Sequence, residues 1–137
     1  MEKQTRITPK YISGLSENEI FVFGSNLRGM HGGGAARTAL KWGAIMGQGV
    51  GLQGQTYAIP TMFDTAEEIQ PYVDEFIKFA KSNSDKRFLV TPIGCGIAGF
   101  SVDDIAPLFD KALEVSNIYL PKEFLDYLNS YRGSGKD

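Results

Sequence analysis

The chain holds one histidine, His31, and one cysteine, Cys95. A structural zinc site takes four Cys or His ligands and a catalytic one usually three protein ligands, so these two residues predict no metal centre. His31 sits in Met30-His31-Gly32. There an imidazole can donate to a phosphate or act as a base, and it can equally be a solvated loop residue. Cys95 lies between Gly94 and Gly96, just before an expected helix, a setting that can lower a thiol pKa. Its small side chain also suits a loop that wraps phosphate. Arg28 and Arg37 can pair with phosphate, and Arg28, in a loop, is the better placed of the two.

The glycines point to the same chemistry. Of the 16, ten lie from Gly24 to Gly54, and Gly94, Gly96 and Gly99 form a second window. Glycine lets a ligand approach main-chain N–H groups closely, and it accepts positive φ. Tight turns alone would explain either window, but two in one chain of 137 residues favour a phosphate site. From Phe21 to Phe63 there is no Asp or Glu, while Arg28, Arg37 and Lys41 lie inside. An anion can settle there without repulsion. The whole chain carries −2, which is not the footprint of duplex binding, so no nucleic-acid partner is expected.

These residues need elements to hold them. Glu19 to Phe23 reads as a buried strand ending at Gly24. Ala35 to Trp42 reads as a short helix stopped by Gly43. Gln55 to Pro60 is a second strand. Thr65 and Glu68 form a capping box before a helical pattern at Ile69, Tyr72, Val73, Phe76 and Ala80, with Pro71 marking its start or a bend. Arg87 to Thr91 is a third strand, apolar enough to be covered on both faces. The loop from Pro92 to Phe100 follows. Ser101 caps the next helix, whose regular part should begin late because of Pro107. Asn117 to Leu120 is a fourth strand, Pro121 opens a last helix, and Thr5 to Tyr11 is a candidate edge strand. Alternating strands and helices mean α/β with a mainly parallel sheet. Residues 1–137 read as a single domain, with 133–137 as a frayed tail. No run approaches the about 20 apolar residues that span a bilayer, and the start lacks a signal-peptide core. A lone cysteine fits a reducing compartment, so a cytoplasmic protein is expected.

Two stretches match G-x-G-x-x-G. Gly49 to Gly54 precedes a strand and follows no clear one, the wrong setting for a dinucleotide fingerprint. Gly94 to Gly99 follows a strand and leads to a helix, the right setting, but too little chain remains for a full dinucleotide fold. No P-loop signature is present.

The order of motifs carries a resemblance. A strand ends in Gly24-Ser25-Asn26, and Gly32-Gly33-Gly34 opens a helix with Ala35-Ala36. Tyr57-Ala58-Ile59-Pro60 follows, and a later strand ends in Pro92-Ile93-Gly94-Cys95-Gly96-Ile97-Ala98-Gly99-Phe100. This resembles the macro domain family of ADP-ribose-binding modules, from about Ile20 to Leu120, and in particular its compact bacterial and phage branch of unassigned function. The resemblance implies a three-layer fold, a mixed and mostly parallel sheet flanked by helices. It implies a nucleotide ligand, ADP-ribose or a related nucleotide diphosphate-sugar, free or on an ADP-ribosylated protein, and no cofactor. Asn26 would meet the distal ribose. Gly32, Gly33 and Gly34 would wrap one side of the diphosphate, and Gly94, Cys95, Gly96, Ile97, Ala98 and Gly99 the other. Phe100 would pack on a ribose or ring, and Ser25, Arg28 and Ala35 complete the expected set. The side chains that serve hydrolytic branches are absent: Ala36 and Ala98 stand where those branches carry acids, and Thr61-Met62-Phe63 where one carries a lysine. Two alternatives stay open at this point: a hydrolase in which Asn26 and His31 orient a water, and a ligand-free interaction module.

Overall fold

The computed structural model describes residues 5–135, with side chains through Ser130. The chain is α/β. Its sheet has five strands in the order β2-β3-β1-β4-β5. These are β1 (Glu19–Ser25), β2 (Gly51–Gln53), β3 (Thr56–Pro60), β4 (Arg87–Val90) and β5 (Ile118–Tyr119). Central β1 pairs in parallel with β3 and β4, and β4 with β5, while β2 runs antiparallel to β3.

The two-residue period of β1 sorts its side chains between two cores. Ile20 and Val22 join the larger core, with helix α2 (Gln70–Lys81), the 3₁₀ segment Ala106–Glu114 and helix α4 (Lys122–Gly135). Phe21 and Phe23 join the smaller one, with Ala36 and Ala39 of helix α1 (Gly34–Ala39). A helical layer on each sheet face gives the three-layer arrangement. It also explains why the central strands read as nearly unbroken apolar runs.

Local signals decide where the elements begin and end. α1 passes into a 3₁₀ turn, Leu40–Trp42, and Gly43 stops it at φ 109°, a conformation that favours glycine. The Thr65–Glu68 capping box forms, but it opens a 3₁₀ turn (Ala66–Ile69), and α2 begins with Pro71 in its first turn. Pro71 is therefore a start and not a bend. The Ser101 box pairs with Asp104 at the head of α3 (Val102–Ile105). Here the expected order is reversed: the α-helical part comes first and 3₁₀ geometry follows. Pro107 lacks the amide that would continue the ladder, and its ring crowds the carbonyl four residues back.

Three further elements differ from expectation. β2 was not foreseen, because three residues beginning with glycine carry no strand pattern. The candidate N-terminal strand is a single bridge, Ile7 to Leu120, in which Thr8 N donates to Leu120 O at 2.8 Å. Pro9 has no N–H to extend it. α4 takes in the first part of the expected tail, and residues 136 and 137 lie outside the described residues. Among the described residues no helix is long and apolar enough to cross a membrane.

Candidate functional site

Because β1, β3 and β4 are parallel, their C-terminal ends share one edge of the sheet. Open α/β sheets bind ligands at that edge. The loops leaving Ser25, Pro60 and Val90 converge there on a cleft of about 400 Å³. Gly24 lies where the three meet: a Cβ there would stand 3.3 Å from Thr61 Oγ1 and 3.4 Å from Ile93 Cβ. The two glycine loops face each other across the opening, since a Cβ on Gly33 would lie 3.7 Å from Ile97 Cδ1.

Each loop presents main-chain amides. The first intrahelical donor of α1 is Arg37 N, to Gly33 O at 3.3 Å. The amides of Gly34, Ala35 and Ala36 therefore lie ahead of the helical ladder. The second loop is closed by Phe100 N to Gly94 O at 2.8 Å and Gly99 N to Gly96 O at 3.0 Å. The amides of Gly96, Ile97 and Ala98 take no part in that closure. Gly94 adopts φ +76°, and a Cβ there would come 2.9 Å from Ile105 Cδ1, so the tight start of the loop requires glycine.

The side chains at the cleft are turned toward backbone. Ser25 Oγ donates to Gly49 O, and Thr91 Oγ1 donates to Val22 O at 2.8 Å. The Asn26 amide closes its own loop, donating to Met30 O at 3.2 Å and accepting from Met30 N at 3.0 Å. Among the lining residues there is no Asp, Glu, Lys, Arg or His. Cys95 is the one that titrates. Burial pushes its thiol up, and Glu123 and Asp104 push it further the same way. The direction is opposite to the lowering that a helix entrance can produce. The helices behind both loops are too short, six and four residues, for a strong dipole, so the loop amides carry the positive potential.

Of the expected residues, the cleft brings together Ser25, Asn26, Gly33, Gly34, Ala35, Gly94, Cys95, Gly96, Ile97 and Ala98. Gly32 and Gly99 are exposed just beyond its lining, and Arg28 points outward from the preceding loop. Phe100 packs against the larger core instead of the opening. His31 is neither solvated nor in the cleft. It is 1% exposed, edge-on to Phe23 with ring centroids 5.1 Å apart. Neither ring nitrogen has a partner among the described residues.

Sequence reasoning missed further walls, among them Thr61, Met62, Thr91 and Pro92. The available signal was position, since each follows closely on a parallel strand's end. It also missed a larger groove of about 840 Å³ that meets the cleft at Ala35, Thr91 and Pro92. The groove runs between the segment Ile7 to Ser13 and the start of α4, over Phe21 and Val90; its surface is mainly apolar, with Lys10, Lys122, Glu123 and Asp126 also lining it. Nothing in the pattern of Ile7 to Ser13 marks it as a wall; only the tertiary path lays it there.

The discounted Gly49 to Gly54 stretch has a structural use. Gly47 N donates to Gly29 O at 2.9 Å. A Cβ on Gly49 would fall 2.1 Å from Asn26 O. Buried Gln53 holds the bracing segment, accepting from Ile45 N at 2.7 Å and donating to Gln48 O at 2.9 Å. This brace fixes the Asn26 wall of the cleft. No known protein family, no curated protein and no solved structure matches the chain.

Proposed function

We propose that this chain is a macro-domain-like binder of ADP-ribose or a related nucleotide diphosphate-sugar, free or carried on a protein, acting in the cytoplasm. The observation that carries this reading is the joined pair of cavities. A carboxylate-free cleft with main-chain amides on two facing loops suits a diphosphate and its ribose. The groove that continues from it offers apolar area for a flat base, with Lys10, Lys122, Glu123 and Asp126 on its walls. A carboxylate-lined cleft would repel the same ligand. Binding is favoured over hydrolysis because the lining offers no acid–base side chain poised near neutrality. His31 is enclosed against Phe23 and away from the lining.

The test is thermal unfolding with ADP-ribose, ADP, AMP and NAD, alongside the variant Gly96→Val. Gly96 lines the cleft and a Cβ there meets nothing within 4 Å, so the added side chain should narrow the cleft at little cost to the fold. A ligand at about 100 times its Kd stabilises by about 2.7 kcal/mol, several degrees for a domain of this size. The expected outcome is a shift with ADP-ribose in the parent chain and none in Gly96→Val, at equal unliganded Tm. Failure of every nucleotide to shift the parent, or an undiminished shift in the variant, would overturn the reading.

A further inference from the structure

The cleft has an apolar mouth that a diphosphate does not use. Met30, Met62 and Ile97 all line this one cavity of about 400 Å³, and each is more than half exposed. They therefore stand where the cleft opens to solvent. They come from three different loops, those that follow β1, β3 and β4. Met30 is held beside Asn26, whose side chain bonds both its amide and its carbonyl. Met62 directly follows Thr61, whose N donates to Ser25 O at 2.9 Å. Ile97 reaches across the opening, since a Cβ on Gly33 would lie 3.7 Å from its Cδ1. None of the three lines the groove, which meets the cleft at Ala35, Thr91 and Pro92 instead. A ligand with its base in the groove and its phosphates on the loop amides leaves its far end at this mouth. Apolar side chains scattered singly on a surface need no explanation, but three gathered on one small opening do.

We infer that the ligand carries an uncharged, ring-shaped apolar group on its distal ribose, seated among Met30, Met62 and Ile97. This inference rests on the nucleotide diphosphate-sugar reading of the same cleft and names what that ligand bears at its far end. The lining holds no Asp, Glu, Lys, Arg or His. A carboxylate, ammonium or guanidinium on the distal ribose would lose hydration there and find no counter-charge. An apolar group instead buries area against three side chains that are otherwise left to water. Two of the three are methionines, whose unbranched, polarisable thioethers adapt to a ring and make favourable sulfur–aromatic contacts.

The probes are ADP-ribose, its benzyl glycoside at the anomeric carbon of the distal ribose, and the carboxymethyl glycoside at the same carbon, each titrated calorimetrically into the full chain. The variants are Met62→Ser, Met62→Ser/Ile97→Ser and, as a control, Leu27→Ser, whose side chain is exposed but lies outside the cleft lining. Each is checked for unchanged Tm. The quantity read is the ratio of two ligands' affinities for one chain, because a substitution in the lining can weaken every ligand alike. The benzyl glycoside is expected to bind about tenfold more tightly than ADP-ribose in the parent and in Leu27→Ser. The carboxymethyl glycoside should bind no more tightly than ADP-ribose. The benzyl advantage should fall in Met62→Ser and shrink to about twofold or less in Met62→Ser/Ile97→Ser. ADP-ribose binding with no benzyl advantage would overturn this inference and leave the nucleotide reading standing. So would a preference for the carboxymethyl glycoside, or an advantage that survives in the double variant or is lost equally in Leu27→Ser. Binding of none of the three probes would overturn both.

Discussion

At the scale of single residues, burial sets the ionisation of the two most informative groups. It holds the Cys95 thiol above its ordinary value, with Glu123 and Asp104 adding to the effect. Iodoacetamide at pH 8 should therefore alkylate Cys95 more slowly than an unstructured cysteine peptide, which mass spectrometry reads directly. Tyr57 is also buried, and its phenol is pushed up to about 12 from 10.0, first by desolvation and then by Glu75. The folded state favours the neutral phenol. Its contribution is fully present below the unfolded value and is lost as pH rises from about 10 toward about 12. Tyr57→Phe keeps the ring against Phe76 and Phe79 and removes the titration. Urea unfolding across that window should show a smaller loss of stability in the variant than in the parent.

At the scale of elements, what matters is how loops are held. Gly49→Ala would drive a methyl into the Asn26 carbonyl, a backbone group that cannot swing aside as a side chain would. The brace must then shift, at a cost of about 1–3 kcal/mol. Denaturant unfolding should show this together with a weakened ADP-ribose response, since the Asn26 wall moves with the brace. Gln53→Leu should act in the same direction, leaving Ile45 N and Gln48 O without their buried partner. On the far side of the sheet, Asn117 Nδ2 contacts Ala80 O, Asn83 O and Lys86 O, all at about 3 Å. It ties the end of α2 and the turn after it to β5. Asn117→Ala should cost about 1–3 kcal/mol in urea unfolding and leave nucleotide binding unchanged, because the cleft lies at the opposite end of the strands.

At the scale of the whole molecule, the groove depends on where the N-terminal segment is anchored. Arg6 donates to Ile118 O at 3.1 Å, Leu113 O at 3.0 Å and Val115 O at 3.1 Å, fastening that segment beside β5. Residues 7–13 then continue as the groove's outer wall. Arg6→Ala should loosen the wall and lower affinity for ADP-ribose. On the proposed reading ribose 5-phosphate needs the cleft alone, so its affinity should change little. Calorimetric titration of both ligands reads this difference, and an equal loss for both would show that Arg6 supports the fold as a whole.

The sequence by itself determined the α/β class, the central strands and the two glycine loops. These rest on local physics: apolar runs long enough for a sheet covered on both faces, a capping box at Thr65, a cap at Ser101, and glycine where backbone must come close. It also located most of one cleft, because loops at the ends of parallel strands are bound to gather. Only the tertiary structure decided the rest. His31 lies inside, edge-on to Phe23, and Phe100 packs against the larger core, placements set by contacts with other elements. The pairing of β2 comes from its neighbour β3, and the single bridge at Ile7 from Leu120. The groove exists because Arg6 reaches carbonyls more than a hundred residues away. Contacts at such separation leave no period or spacing along the chain, so they become readable only once the chain has folded.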